Sequence, residues 1–450
     1  MKERSNFTSK IGFVLAAAGS AVGLGNIWRF PYLAAKYGGG IFLLVYLILA
    51  VTFGFAIMLT EIALGRKTGL SAIEAFRRLD KRFAFIGYIT SAVPIIIFPY
   101  YCVIGGWVTK YLAVYLTGAG KAAAADGFFG EFISRPAEPV VWLSIFVFFT
   151  AVVVFLGVEK GIEKVSKLMM PILAVLSVGI AVYGLTLPGA LDGVIYYIKP
   201  DFSRFSSTTV LAALGQLFYS MSLAMGIMIT YGSYMKKEDN LEASVRQIEL
   251  FDTAIAFIAG LMIIPAVFAF SGGDESALGT GPSLMFVTLP KVFNNMGIGN
   301  IIGVLFFVLV LFAALTSAIS LMETIVSILQ DKLKWNRRVT CLVVMIFAIV
   351  VGTPSSLGFG VWSHITFIGM SILDFFDFIS NSIIMPVVAL LTCLFVGFIL
   401  KPSVIADEVK LSAPFKAEKF YTVIIKWIVP ICIIAILVSS VLGALGYMKI

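Results

Sequence analysis

Long apolar stretches recur along the whole chain, and they decide what it can fold into. Hydrophobic residues make up 60% of its 450 residues and charged residues only 13%. Few soluble folds can bury so much apolar surface, whereas a bilayer accommodates apolar helices of about 20 residues each. The sequence therefore predicts an all-α polytopic membrane protein with eleven transmembrane helices, forming one domain over residues 1–450.

The predicted spans are separated by short loops that are polar or rich in Gly and Pro. We number them spans 1 to 11 in chain order. They run from Ile11 to Tyr37, Ile41 to Arg66, Phe83 to Leu116, Val140 to Gly157, Val165 to Leu185, Thr208 to Tyr234, Leu241 to Phe270, Ile298 to Asp331, Val339 to Val351, Ser371 to Leu400 and Tyr421 to Tyr447.

The positions of the basic residues explain the net charge of +8. They cluster before span 1 and after spans 2, 4, 6, 8 and 10, and the other loops carry few cations. Because loops rich in Lys and Arg stay in the cytoplasm, the pattern predicts a cytoplasmic N-terminus and an extracytoplasmic C-terminus in the cell inner (plasma) membrane. This charge pattern indicates contact with the lipid bilayer and not with nucleic acid.

Two spans are interrupted by residues that do not suit a helix in lipid. Span 1 contains GSAVGLGNIWRFP at Gly19–Pro31, and span 6 contains GQLFYSMSLAMG at Gly215–Gly226. Irregular backbone at membrane depth is tolerated where it lines a cavity. Broken helices five spans apart are typical of transporters built from inverted repeats. We predict a first repeat over residues 1–185, a second over residues 206–400, and an accessory span 11 over residues 420–447.

Oxygen-bearing groups on four spans have the chemistry that binds Na⁺. Two sets are predicted, the Ala21 carbonyl with Asn26, Ser220 and Asp252, and the Gly19 and Val22 carbonyls with Thr316 and Ser317. The alternative is that each Ser or Thr bonds back to its own helix, which is common in membranes. A carboxylate at membrane depth is costly, so Asp252 is a candidate for function, the alternative being a neutral structural Asp.

The interrupted spans also indicate the kind of ligand. A half-helix that begins near Gly25 presents free N–H groups, which suit a carboxylate, and freed carbonyls of span 6 suit an ammonium group. Apolar and aromatic side chains nearby would hold a hydrophobic side chain, unless they are ordinary packing residues. These neighbours are Tyr101, Ile104, Tyr219, Met225 and Leu321. An α-amino acid meets all three requirements.

Charged residues near the two ends of this site predict gates. On the outer side, Arg29 could pair with Asp377 or Asp374, which lie three residues apart on one helix face. On the inner side, Arg4 could pair with Asp331. Static salt bridges are the alternative to gates that open and close.

Several motifs together resemble the neurotransmitter:sodium symporter family over the whole chain. They are Gly19–Pro31, Gly38–Gly40, Tyr100–Tyr101, Gly215–Ser222, Phe286–Pro290 and Ala314–Ser317. The resemblance implies a bacterial eleven-span symporter that couples Na⁺ to amino-acid import. It also matches Gly161 and Pro171 to a motif that lets the inner half of span 5 unwind.

The resemblance further implies roles for individual residues. The first sodium site would use Ala21, Asn26, Ser220 and Asp252, and the second Gly19, Val22, Ala313, Thr316 and Ser317. Substrate would contact Ala21, Leu24, Gly25, Tyr101, Ile104, Phe218, Tyr219, Ser220, Ser222, Met225, Ser317 and Leu321, with Tyr219 as an aromatic lid.

Two departures from the family pattern matter. Many members have twelve spans, whereas eleven are predicted for this chain. The resemblance therefore does not predict an oligomer whose interface depends on a twelfth span. Animal members need chloride beside the first sodium site, whereas Asp252 supplies a fixed negative charge, which predicts chloride-independent transport. No cluster of catalytic groups indicates an enzyme. The remaining alternative is a membrane sensor that binds amino acid and Na⁺ without net transport. The residues of the inner pathway, Arg4, Asp331 and the motif with Gly161 and Pro171, argue against a sensor.

Overall fold

The computed structural model describes residues 6–274, 277 and 282–444, and these are almost entirely helical. Within this part of the chain, nine helices are long and apolar enough to cross a membrane, and the two halves of span 1 make a tenth. Span 6 adds two short helices around a non-helical stretch. The prediction of an all-α polytopic fold with discontinuous spans 1 and 6 is confirmed.

The observed spans follow the predicted order. Their bounds are Lys10–Ala21 with Gly25–Lys36, Gly40–Thr68, Lys81–Leu116, Glu138–Phe155, Val158–Leu185, Ser207–Ser220 with Ile227–Gly232, Leu241–Ser271, Gly299–Leu333, Arg337–Leu357, Ile372–Leu400 and Glu418–Ser439.

Short helices lie in the connections between the spans. They are Ala72–Leu79, Gly120–Ala123, Phe128–Ser134, Ala190–Ile198, Leu284–Asn294 and Pro402–Lys410, with a 3₁₀ turn at Phe202–Arg204. Leu284–Asn294 forms a helical cap in the loop that precedes span 8.

Two predicted spans are longer in the structure than their apolar runs. Span 5 begins at Val158 instead of Val165 because its first turns carry charged residues, which hydropathy excludes but which bond to other parts of the protein. Span 9 runs to Leu357 instead of Val351, passing through Pro354 near its end. A proline is tolerated in a membrane helix where neighbours satisfy the freed backbone groups.

The helical path of span 1 breaks after Ala21. Val22 adopts an extended conformation (φ −71°, ψ 95°), and the two helical halves meet at 54°. In span 6 the path breaks after Ser220, where Ser222 and Ala224 have φ values of 52° and 60°. Such values are costly for residues other than glycine, so the surroundings must stabilise this stretch.

Hydrogen bonds from neighbouring elements stabilise both breaks. Glu61 of span 2 accepts the Ala224 N–H at 3.0 Å. Ser222 Oγ donates to the Ser20 carbonyl at 2.9 Å, so the two irregular segments are bonded directly to each other. This contact sets the breaks face to face in the middle of the molecule.

Candidate functional site

Three of the residues predicted for the first sodium site meet at Asp252, which is fully buried. Asn26 Nδ2 donates to Asp252 Oδ1 at 2.8 Å, and Ser220 Oγ lies 3.2 and 3.1 Å from the two carboxylate oxygens. The Tyr46 hydroxyl of span 2, which the sequence did not single out, approaches Asp252 Oδ2 at 3.5 Å. Carboxylate, amide and hydroxyl groups from four spans thus surround one point.

The second predicted set also comes together, on the other side of the break in span 1. Ser317 Oγ of span 8 lies 3.4 Å from the Gly19 carbonyl, 3.0 Å from that of Ser20 and 3.4 Å from that of Val22. Thr316 Oγ1 donates back to its own helix, at 3.2 Å from the Ala313 carbonyl. The Ser317 hydroxyl and three carbonyls of span 1 therefore place four oxygens around this point.

The Asp252 carboxylate, the Ser220 and Ser317 hydroxyls and the carbonyls of span 1 are hard oxygen ligands, and this is the ligand chemistry that suits Na⁺. No group of three His, Cys, Asp or Glu side chains that could hold a metal ion occurs among the described residues. Hydroxyl and carbonyl oxygens suit an alkali cation better than a transition metal, which favours imidazole and thiolate ligands.

A cavity lies at the breaks of spans 1 and 6, and Ser317 of the second oxygen set lines it. Nine of the predicted substrate contacts line it, namely Ala21, Leu24, Gly25, Tyr101, Tyr219, Ser222, Met225, Ser317 and Leu321. Its polar part includes the Leu24 N–H, which donates to the Tyr101 hydroxyl at 3.4 Å. The remainder is mostly apolar and aromatic, so the cavity suits a small molecule with a polar end and a hydrophobic end.

Three predicted substrate contacts do not line this cavity. Phe218 packs edge-on against Phe53 of span 2, with 5.2 Å between the ring centroids. Ser220 bonds to Asp252, and Ile104 is buried elsewhere on span 3. Four lining residues were not predicted, namely Ser20, Gly23, Ile97 and Ile227. Ile97 lies four residues before Tyr101 on the same helix, a spacing that could have identified it.

Two glycines of span 1 allow close approach at this cavity. A Cβ added to Gly23 would lie 2.7 Å from Ser317 Oγ, and one added to Gly25 would lie 2.5 Å from a ring carbon of Tyr219. Side chains at these positions would force the neighbouring groups apart. The glycines at these two positions are therefore required by packing.

The predicted outer pair is close to the cavity but is not joined by an ion pair within 4.0 Å among the described residues. The Arg29 guanidinium lies over the Tyr219 ring, 5.2 Å from its centroid. Asp377 accepts hydrogen bonds from Tyr100 at 3.1 Å and Asn381 at 2.6 Å. Asp374 is exposed and accepts from Ser371 at the start of span 10. Arg29 therefore covers the Tyr219 ring directly.

On the opposite side, the N-terminal segment is held against span 5. Glu163 accepts hydrogen bonds from Thr8 N at 2.7 Å, Thr8 Oγ1 at 2.5 Å and Ser9 Oγ at 3.0 Å, and it pairs with Lys167 at 2.6 Å. Phe7 packs among aromatic rings next to it. Glu163 was not predicted, although an acidic residue beside an apolar run is itself a signal of a functional or structural site.

A second buried carboxylate, that of Glu323, joins elements on the same side of the protein as Glu163. Glu323 of span 8 pairs with Arg337 at the start of span 9 and accepts from the Tyr234 hydroxyl at 2.7 Å. Asp331, the predicted partner of Arg4, accepts from the Ser71 N–H and hydroxyl at 2.8 and 2.6 Å. Arg4 lies outside the described residues, so its pairing stays a prediction.

Comparison with known proteins gives the family. The model of the sodium:neurotransmitter symporter family matches residues 4–121 and 130–448. The chain belongs to this family. It is therefore a sodium-dependent, multi-pass membrane transporter and not an enzyme.

Individual relatives of this symporter match over nearly its full length. An uncharacterized sodium-dependent transporter of Bacillus subtilis (strain 168), YhdH, is 36% identical over 98% of both chains. Another from Haemophilus influenzae is 34% identical, again over 98% of both chains. The crystal structure of MhsT in complex with L-phenylalanine is similar at 40% identity with a TM-score of 0.89, covering 97% of this chain and 100% of that one.

Proposed function

We propose that this symporter imports hydrophobic L-amino acids together with two Na⁺ ions, independently of chloride. The observation that carries the proposal is the cavity at the two breaks, which has a mostly apolar lining and includes Ser317 of the second oxygen set. The L-phenylalanine complex of the similar protein MhsT supports the substrate class. A charged side chain would find no opposite charge in the lining, which favours hydrophobic substrates.

In this proposal the ligand and the first Na⁺ share charge. The substrate carboxylate would meet the backbone N–H groups near Gly25 and complete the coordination of the ion beside Asp252, while the carbonyls of span 6 would take the ammonium group. Each would then tighten the binding of the other, since coupling between sites is reciprocal. The second Na⁺ would lie between Ser317 and the carbonyls of span 1.

Transport would proceed by alternating access around this fixed site. The two inverted repeats, residues 1–185 and 206–400, would rock against each other, with Arg29 and Asp377 closing the outer side and Arg4 and Asp331 the inner side. We place the protein in the inner (plasma) membrane with its N-terminus in the cytoplasm and its C-terminus outside, since the loops after even-numbered spans are basic.

Uptake by purified protein in liposomes tests the proposal. An inward Na⁺ gradient should drive accumulation of labelled L-phenylalanine, and replacing Na⁺ with K⁺ should abolish it. In a panel of all twenty amino acids, the aliphatic and aromatic ones should compete and the charged ones should not. Binding without accumulation would contradict symport and favour the sensor, and competition by charged amino acids would contradict the substrate class.

A further inference from the structure

An apolar groove of about 420 Å³ lies between spans 4 and 9, on the perimeter of the helix bundle. We call it the 4–9 groove and define it by Phe148, Val152, Phe155, Arg338, Leu342 and Met345. Phe148, Val152 and Leu342 are 55%, 42% and 53% exposed. The groove is therefore open to the hydrocarbon of the bilayer and separate from the transport cavity.

Arg338 is the one charged residue in the lining, and it lies at the end of the groove where span 9 begins. Its guanidinium is 6.0 Å from the centroid of the Phe155 ring, but it forms no hydrogen bond or ion pair with any residue in the described part of the chain. Trp335, three residues earlier, is 42% exposed. Exposed Trp is typical of the membrane–water interface, so Arg338 lies near the depth of lipid headgroups.

The neighbouring arginine shows the contrast. Arg337 has a full set of partners, since it pairs with Glu323 and donates to the Val154 carbonyl from Nε at 2.9 Å and Nη2 at 2.6 Å. Two adjacent arginines thus point to different surroundings, one into the protein and one along the lipid-facing groove. The Arg338 guanidinium is therefore available to bind an anion from outside the protein.

We propose that the 4–9 groove binds an anionic phospholipid, with the phosphate on Arg338 and an acyl chain along the groove. The apolar walls suit the acyl chain, and a planar guanidinium can bind phosphate through two parallel hydrogen bonds. A lipid with net negative charge gains more from this cation than a zwitterionic one. The site goes beyond the proposed transport function and does not depend on the substrate.

The position of the groove gives the bound lipid a structural consequence. Val154 lies on span 4 between groove residues, and Arg337 ties its carbonyl to the Glu323 pair. A lipid that spans Arg338 and Val152 would hold the start of span 9 against the end of span 4. It would therefore stabilise the side of the protein at which Glu163 and Glu323 hold the N-terminal segment and spans 8 and 9.

Native mass spectrometry of the purified full chain tests this proposal, with dioleoyl phosphatidylglycerol and dioleoyl phosphatidylcholine as probes. The wild type should bind phosphatidylglycerol about fivefold more tightly, the gain expected from one basic residue. Arg338→Gln should remove this preference, and Arg338→Lys should keep most of it. Arg82→Gln is the control, because Arg82 also lies over an aromatic ring, Phe83, but its charge is already paired with Asp80.

A second variant tests the acyl-chain part of the groove. Val152→Trp should fill it and weaken the binding of both lipids while leaving the charge unchanged. Retention of the phosphatidylglycerol preference in Arg338→Gln would overturn the proposal, as would equal binding of the two lipids to the wild type. A dimer that is lost in Val152→Trp without any change in lipid binding would assign the groove to a second copy of the chain.

Discussion

Asn26 and Asp252 are joined by a hydrogen bond of 2.8 Å, although they lie 226 residues apart in the chain. Asn26 follows the break in span 1, and Asp252 lies in the continuous span 7. The bond therefore attaches the second half of a broken helix to a regular one, at the point where we place the first Na⁺. The Asp252 carboxylate is fully buried there.

Asp252→Asn should weaken Na⁺ binding while keeping the shape of the side chain. Loss of the negative charge should raise the Na⁺ concentration needed for half-maximal uptake about tenfold. The measurement is a Na⁺ titration of uptake in proteoliposomes. Glu249→Gln is a matched control, since it neutralises another buried acid three residues earlier on the same helix. An unchanged titration in Asp252→Asn would remove this residue from the site.

Uptake should not depend on chloride. Because Asp252 already supplies the negative charge beside the first Na⁺, a bound anion would be repelled rather than required. Replacing external and internal chloride with gluconate, at constant Na⁺ and osmolarity, should leave the initial rate of uptake unchanged. A rate that collapses in gluconate and recovers with added chloride would contradict this prediction.

Gly23→Ala should impair uptake through steric conflict inside the cavity. The added methyl group would lie 2.7 Å from Ser317 Oγ and 3.1 Å from the Tyr101 hydroxyl, and overpacking of this kind should reduce binding about tenfold. Gly215→Ala is the control, because a methyl group there meets nothing within 4 Å. The measurement is amino-acid affinity by scintillation proximity. Equal affinities of the two variants would show that Gly23 does not line the binding site.

The aromatic ring of Tyr219, and not its hydroxyl, should matter for the outer lid. The ring lies under Arg29, whereas the hydroxyl forms no hydrogen bond with a described residue. Tyr219→Phe should keep the KM for uptake, and Tyr219→Leu should raise it about fivefold because the cation–π contact and the aromatic surface are lost. A large effect of Tyr219→Phe would require a role for the hydroxyl.

Glu163→Gln should loosen the N-terminal segment. A neutral amide cannot replace the charge-assisted bonds to Thr8, Ser9 and Lys167, so hydrogen–deuterium exchange over residues 7–14 should accelerate about tenfold. The control is Glu159→Gln, an exposed acid in the same turn. Equal exchange in wild type and Glu163→Gln would show that other contacts, such as those of Phe7, hold this segment.

The sequence by itself determined the membrane fold, the two discontinuous helices and the family. These follow from local properties of the chain. An apolar run, or a Gly, Asn or Arg within such a run, can be recognised without knowing which residues pack against it. It also identified Asp252, because a carboxylate in an apolar span is costly wherever it points. The start of span 5 and the end of span 9 were less accurate. At the start of span 5, Glu163 is satisfied by Thr8 and Ser9, distant partners that hydropathy does not see.

Only the tertiary structure decided which groups meet. A difference of one residue turns a helical side chain by about 100°, so Tyr219 lines the cavity while Phe218 packs on Phe53. Arg29 lies over Tyr219 without an ion pair to Asp377 in the described residues. These contacts depend on the angle at which the broken helices meet, and that angle is set by packing between spans far apart in the chain.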